Sequence, residues 1–345
     1  MTRKIIWYHF VKNYIRIGLS FYFKNIRIEG KENIPDKKAI LFVANHQNAL
    51  IDPFLIGATN QRIFHYLTQA QVFKNSFAHT LLSSINMIPV YRMRDGYDTL
   101  SKNEDTFQKC YRILDDNEAI LIFAEGSHSL QRRVRALSKG FTRIAFGALE
   151  HNPKNEIDII PIGFNYNDAK EYGSKVSVHY GKPISVNYYK DNFDKLESVI
   201  ELKKEVSKHL KKLTTHIEDK NNYDEIIKYF QGDDFLYPEK VNRKLENLDA
   251  FSPVQTQIKR KLSPLLLLVK MNSLLPLLIW KKVYPKIKED EYISTFRYAV
   301  GITTFPVFYF LQMGIVSYFF GGFIATIYLA ISFLSVYVLA KTINN

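Results

Sequence analysis

From Tyr298 to Ala340 the chain carries no Asp, Glu, Lys or Arg, a run of 43 positions bounded by Arg297 and Lys341. A bilayer crossing takes about 20 apolar residues, so this run has room for two helices. Gly321 and Gly322 stand near its midpoint, where the chain must reverse. Basic residues flank both ends, and the positive-inside rule then places both ends at the cytoplasmic face. Pro306 and Gln312 interrupt the run, which leaves a pair of buried soluble helices as the minority alternative. Upstream, "SPLLLLVKMNSLLPLLIWKK" is shorter and contains Lys270 and Asn272. An interfacial or partly buried helical segment fits it better than a third span.

The formal net charge of +13, with 22 Tyr and 25 Phe, suits an anionic membrane surface or a nucleic acid. The apolar run decides for membrane lipids, and no nucleic-acid-binding motif accompanies the basic residues. The start "MTRKIIWYHFVKNYIRIGLSFYFKNIRIEG" spreads its cations through the segment and lacks a compact apolar centre with a small-residue cleavage site. Residues 1–24 are expected to form an amphipathic, membrane-associated helix. Trp7, Tyr8, Phe10, Tyr14, Phe21, Tyr22 and Phe23 lie beside Lys4, Lys12 and Arg16, residue types that settle at a headgroup boundary. Packing of the same helix on the core is an equal alternative. The single cysteine, Cys110, excludes an internal disulfide and suits a reducing compartment. Within "FQKCYRIL" it reads as a small apolar filler.

Between the two ends, β-rich runs alternate with stretches of helical period. "AILFVA" (39–44), "IFHYLT" (63–68), "AILIFA" (119–124), "DIIPIGFNY" (158–166) and "KVSVHYG" (175–181) read as strands, whereas "NEDTFQKCYRILDD" and "KGFTRIAFGALEH" read as helices. The pattern predicts an α/β fold with a mixed, mostly parallel sheet flanked by helices. Its expected extent is 25–215, followed by a charged helical linker (216–260), an interfacial helical segment (261–295) and two transmembrane helices (296–345).

Four polar clusters follow strands. "NHQNALIDP" supplies Asn45, His46 and Asp52; "INMIPVYRMRDG" supplies Arg92 and Arg94; "FAEGSHSLQRRVRALSKG" supplies Glu125, Gly126, Ser127, His128, Arg132, Arg133 and Arg135; "IIPIGFNY" carries Pro161 and closes on Asn165. A histidine paired with a carboxylate can take a proton from an alcohol, because the carboxylate fixes the tautomer and stabilises the imidazolium. A second glycine is missing from "EGSHS", so the Gly-x-Ser-x-Gly elbow of serine esterases is absent. Arginine forks match a phosphate on the acceptor. Each cluster also has a plainer reading: His46 as a capping or core residue, Arg92 and Arg94 as a solvated turn, Arg132 to Arg135 as an exposed run, and Glu125 as a cap. Four clusters in one α/β unit, each after a strand, favour a site.

The order "NHQNALIDP", "IPVYR", "FAEGSHS" with "KGFTRIAF", then "IIPIGFNY" resembles the four motifs of the glycerolipid acyltransferases, over roughly residues 25–190. The resemblance implies that His46 is the general base, that Asp52 supports it, and that the acceptor hydroxyl attacks an acyl thioester directly. It associates Arg92, Glu125 and Gly126 with the acceptor and its phosphate, and Pro161 with an apolar strand implicated in donor binding. It further implies acyl-CoA or acyl carrier protein as donor, glycerol-3-phosphate or lysophosphatidate as acceptor, no metal and no further cofactor, and work at the cytosolic face of a membrane.

The chain departs from that pattern in three places. Five residues, Gln47 to Ile51, separate His46 from Asp52 where four are usual, so the pair must meet through a turn or an irregular helix start. This spacing resembles a fungal-type branch acting on glycerol-3-phosphate and dihydroxyacetone phosphate. "AEGSH" replaces "PEGTR", with Ala124, Ser127 and His128 at the changed positions, which points to Arg132 or Arg133 as a substitute phosphate ligand. Asn86 replaces a common glycine. An acceptor such as another lysophospholipid or an amino-lipid, and a catalytically silent membrane scaffold, are the alternatives.

Overall fold

The computed structural model describes residues 3–91, 103–248, 252–254 and 264–343. The chain begins with α1 (Arg3–Tyr22), β1 (Asn25–Glu29), β2 (Ala39–Ala44), α2 (Ile51–Thr59), β3 (Phe64–Gln69), α3 (Ser76–Ser84) and β4 (Met87–Val90). It continues with α4 (Asn103–Asp115), β5 (Ala119–Phe123), α5 (Gly140–His151), β6 (Ile157–Tyr166), β7 (Lys175–Tyr180) and β8 (Ile184–Ser185). Helices α6 (Val186–Asn192), α7 (Lys195–Leu213), α8 (Tyr223–Ile227) and α9 (Pro238–Leu245) complete the α/β unit. Then come α10 (Pro264–Asn272), α11 (Leu274–Val283), α12 (Ile293–Phe320) and α13 (Gly322–Thr342).

The strands build one eight-stranded sheet in the order β1-β7-β6-β2-β5-β3-β4, with β8 beside β6. Only the β6–β7 and β6–β8 pairings are antiparallel, so the mixed, mostly parallel sheet expected from the alternation is present. Strand β2 shows why its apolar run is continuous. Successive side chains point to opposite faces, and Leu41 and Val43 join one buried cluster while Ile40, Phe42 and Ala44 join the other. Helices α4, α5 and α7 cover the first face; α1 and α2 cover the second. Each fully buried large side chain contributes about 1.5–3 kcal/mol, so a strand buried on both faces is well fixed in position.

The chain leaves β2 toward β3 on one side, while β5 connects to β6 on the other. The C-terminal end of β2 is therefore a point where the winding changes direction, the usual place for a crevice in such sheets. Strands β4 and β8 escape the sequence reading because they are short, and β4 carries Pro89, whereas β1, as long as β5, escapes because NIRIE alternates polar and apolar residues and offers no continuous apolar run. Asn86, just before β4, has φ +61°. That left-handed conformation suits Gly or Asn, which accounts for asparagine where glycine is common. Cys110 is a buried member of the core, and burial pushes its thiol up to about 12.

The charge-dense segment expected to be a linker folds onto the α/β unit through residue 248. Phe230, Phe235 and Val241 form a small buried cluster. The Arg132 guanidinium stacks over the Phe235 ring at 3.6 Å, and Ser177 Oγ donates to the Leu236 carbonyl at 2.8 Å. Apolar residues spaced among charges, rather than net charge, decided the outcome. His216 marks the start of this segment. Its Nδ1 accepts the Val134 N–H at 3.0 Å, and burial lowers its pKa from 6.5 to about 4. A folded-state pKa below the unfolded one gives stability that is present above pH 6.5 and lost as pH falls toward 4. His216→Asn keeps an acceptor but cannot titrate, so its melting temperature should fall less than the parent's between pH 7 and pH 4.5. Parallel melting curves for the two proteins would exclude His216 as the cause.

Helix α1 packs on the sheet through Tyr8, Leu19 and Tyr22, and Phe23 just beyond it is buried as well, so Tyr8, Tyr22 and Phe23 belong to the core rather than to a headgroup boundary, whereas Trp7, Phe10, Tyr14 and Ile17 stay exposed. A Cβ at Gly18 would lie 2.6 Å from both Ile302 Cγ2 and Tyr298 Oη, and glycine there lets α1 meet α12 closely. Helices α12 (28 residues) and α13 (21 residues) are long and apolar enough to cross a bilayer and reverse at Gly321, as the uncharged run predicts. The upstream segment is a helix pair bent by 86° at Asn272–Ser273. The corner is bonded to the hairpin: Asn272 Nδ2 donates to Ser332 Oγ at 3.0 Å, Tyr328 Oη donates to Asn272 Oδ1 at 2.7 Å, and Ser273 Oγ meets Tyr309 Oη at 2.6 Å.

Candidate active site

Strand β2 ends at Ala44, and Asn45 extends its pairing by other means. The Asn45 amide donates to the Phe164 carbonyl at 3.1 Å and accepts the Phe164 N–H at 2.7 Å, tying the loop to β6. His46 follows, and α2 begins only at Ile51, with Asp52 in its first turn. The intervening turn folds back so that His46 Nδ1 lies 2.8 Å from Asp52 Oδ2. The same oxygen accepts the N–H groups of Gln47 and Asn48, each at 2.9 Å, and Oδ1 accepts the Tyr166 hydroxyl at 2.5 Å. Asp52 is fully buried and met by four donors. A carboxylate only accepts, so in the neutral imidazole Nδ1 carries the proton and Nε2 the lone pair. The five-residue spacing is thus resolved by an irregular helix start. The His46 ring stacks on Phe123, the last residue of β5, with centroids 3.8 Å apart.

The third cluster lies alongside. Ser129 N–H donates to the His46 carbonyl at 2.9 Å, which pins the loop after β5 to the loop after β2. Gly126 turns that loop at φ +73°, a conformation that a β-carbon disfavours. Glu125, 2% exposed, receives Arg135 Nε and Nη2, both at 2.7 Å from Oε2. Arg135 Nη1 donates to Ser127 Oγ at 2.7 Å, and its Nη2 reaches the Ser127 carbonyl. Burial pushes the Glu125 carboxyl above its usual value, and the Arg135 guanidinium pulls it back part of the way. The His128 ring is 5.4 Å from that of His46 and edge-on to Tyr292 at 4.7 Å. Burial and then the His46 charge lower the His128 pKa, against opposing effects from Glu291, Glu289 and Asp52.

His46, Asp52, Glu125, Gly126, Ser127 and His128 therefore converge at the end of β2 and β5. Arg132 and Arg133 do not join them. Arg132 donates to the carbonyls of Tyr166 (2.7 Å) and Asn167 (3.0 Å), and its full burial brings its pKa down to about 10. Arg133 donates to the Glu218 carbonyl at 2.8 Å. Both tie down neighbouring segments, and among the described members of this basic run it is Arg135 that joins the Glu125–Ser127 cluster. Pro161 sits inside the sheet opposite Val43, between the β8 and β7 pairings of β6, where its missing N–H deprives no ladder. Arg92 lies outside the described residues. Sequence reasoning named Arg135 only within a basic run and missed Tyr166 and Phe123. The aromatic ends of "IIPIGFNY" and "AILIF" were the available signals.

The α/β unit thus carries a His–Asp pair at the winding switch of its sheet, the carboxylate fully buried and the imidazole partly so, an arrangement suited to base chemistry. Residues 25–165 match the model of the Acyltransferase family. Over 251 residues, 71% of this chain and 28% of the relative, the sequence is 24% identical to glycerol-3-phosphate O-acyltransferase 2 of Saccharomyces cerevisiae. It is 25% identical over 158 residues to a chloroplastic 1-acyl-sn-glycerol-3-phosphate acyltransferase of Arabidopsis thaliana, covering 45% of this chain and 40% of that protein. The chain thus spans less than half the length of these curated relatives. A crystal structure of the Thermotoga maritima 1-acyl-sn-glycerophosphate acyltransferase aligns with a TM-score of 0.44 at 20% identity, over 61% of this chain and 80% of that one.

Proposed function

We propose that this protein is a membrane-bound O-acyltransferase that moves a fatty acyl group from a CoA or carrier-protein thioester to glycerol-3-phosphate or lysophosphatidate. The observation that carries this reading is the His46–Asp52 pair, with Nδ1 held by the carboxylate and Nε2 left as the base. His46 Nε2 takes the acceptor's hydroxyl proton as the oxygen attacks the thioester carbonyl carbon. The carbon–sulfur bond then breaks, and the departing thiolate takes the proton from the imidazolium. The products are an ester and a free thiol, so no metal or redox cofactor enters the balance. The His128 ring lies 5.4 Å from that of His46, and the Arg135 guanidinium, bonded to Glu125 and Ser127, adds positive charge to the same cluster; on this reading an acceptor phosphate is assigned to these two residues. Helices α12 and α13 hold the site at a bilayer, with the α/β unit on the cytoplasmic side, where amphipathic products partition into the lipid.

The test is acyl transfer by the purified full-length protein from a labelled acyl thioester. Glycerol-3-phosphate, dihydroxyacetone phosphate and lysophosphatidate are offered separately, with glycerol and monoacylglycerol as phosphate-free controls. Transfer to one phosphate-bearing acceptor, at least about tenfold faster than to its phosphate-free counterpart, is expected from loss of a charge-assisted contact. Equal transfer to the controls, or none to any phosphate-bearing acceptor, would overturn the proposal.

A further inference from the structure

We propose that Thr295, in the first turn of α12, is a positioning residue for the His46–Asp52 pair, so that the root of the membrane hairpin is part of the catalytic apparatus. This role rests on the acyl-transfer reading above. The turn between His46 and Asp52 exposes backbone donors that α2 cannot satisfy. Gln47 and Asn48 spend theirs on Asp52. Leu50, in the N-cap position of α2, lies before the first intrahelical donor. Its N–H is taken by Thr295 Oγ1 at 3.1 Å, from 245 residues further along the chain.

A second link runs beside the first. The Ala169 carbonyl accepts both Ser294 Oγ, at 2.6 Å, and Asn48 Nδ2, at 2.7 Å. Asn48 is thereby held through its side chain to the hairpin root and through its N–H to Asp52. Arg297 locks the same loop from the other side, donating to the Lys170 carbonyl at 2.8 Å. Thr295 and Ser294 are themselves buried, at 8% and 1% exposure, so water does not compete for these bonds. One turn of α12 thus fixes two residues of the loop whose amides hold the Asp52 carboxylate. An error of an ångström in that carboxylate misplaces the imidazole, and such errors cost rate rather than affinity.

The experiment uses the full chain in nanodiscs. Thr295→Val keeps the shape and removes the hydroxyl acceptor, Thr295→Ser restores it, and Thr304→Val removes a hydroxyl that bonds only within α12, to the Val300 carbonyl. Thr295→Val should lower kcat about tenfold with KM for both substrates within about twofold, while Thr295→Ser and Thr304→Val stay within about twofold of the parent in kcat. Amide exchange over residues 47–50 supplies a readout independent of activity and should quicken in Thr295→Val alone. Unchanged kcat and exchange in Thr295→Val, no rescue by Thr295→Ser, or an equal loss in Thr304→Val would overturn the role. A parent that transfers no acyl group would remove the acyl-transfer reading and with it the rate comparison. The exchange result would then decide whether Thr295 positions the loop.

Discussion

His46→Ala should fold, enter membranes as the parent does, and lose acyl transfer by about two to four orders of magnitude, the range attributed to a positioned general base. The structure separates the chemical effect from a structural one. Removing the imidazole takes one donor from Asp52, but the N–H groups of Gln47 and Asn48 and the Tyr166 hydroxyl remain. The buried carboxylate is therefore still satisfied, and the fold keeps its support. What disappears is the lone pair at Nε2, for which the described residues offer one nearby substitute, His128, with its ring 5.4 Å away. The measurement is initial-rate transfer beside a melting curve. Full activity in a folded His46→Ala protein would end the base assignment, whereas lost activity with an unchanged melting temperature would establish it.

Arg135→Ala should damage both stability and rate. Glu125 is 2% exposed and Arg135 29% exposed, so the substitution leaves a buried carboxylate without its cation. Breaking a fully buried pair costs about 3–5 kcal/mol, and the partial exposure of Arg135 brings the expected loss to about 2–3 kcal/mol. The pH dependence has a defined sign. Glu125 already titrates above its usual value, and without Arg135 it must rise further. A raised folded-state pKa gives stability that is present below the unfolded value and lost as pH rises through the folded one. The deficit of Arg135→Ala relative to the parent should therefore be largest at neutral pH and shrink toward pH 5. Adding Glu125→Gln should recover most of the stability at neutral pH, because a neutral amide does not need the cation, while transfer stays low. Equal deficits at pH 5 and pH 7.5 would show that the ion pair is not the cause.

Much of this was legible in the chain itself. The uncharged run from Tyr298 to Ala340 determines a helical hairpin, because an unpaired backbone cannot be left in hydrocarbon and only helices of that length satisfy it locally. The apolar runs of β2, β5 and β6 determine central strands, because a strand buried on both faces cannot alternate. His46 and Asp52 were legible as a pair from residue type and proximity in sequence.

Which arginine serves the site was not legible. Arg132, Arg133 and Arg135 are interchangeable in a basic run, and only the turn after Gly126 sends Arg135 to Glu125 while Arg132 is buried against Phe235, over a hundred positions away. The same holds for the donors around Asp52. Tyr166 comes from β6 and Thr295 holds the adjoining turn from the hairpin root, contacts set by sheet order and helix docking rather than by local propensity. Local sequence determined which segments are strands, helices and spans, because burial periodicity is a property of neighbours along the chain. The partners of the catalytic loop were decided by tertiary structure alone, because hydrogen bonds between distant segments form only once packing has fixed where those segments meet.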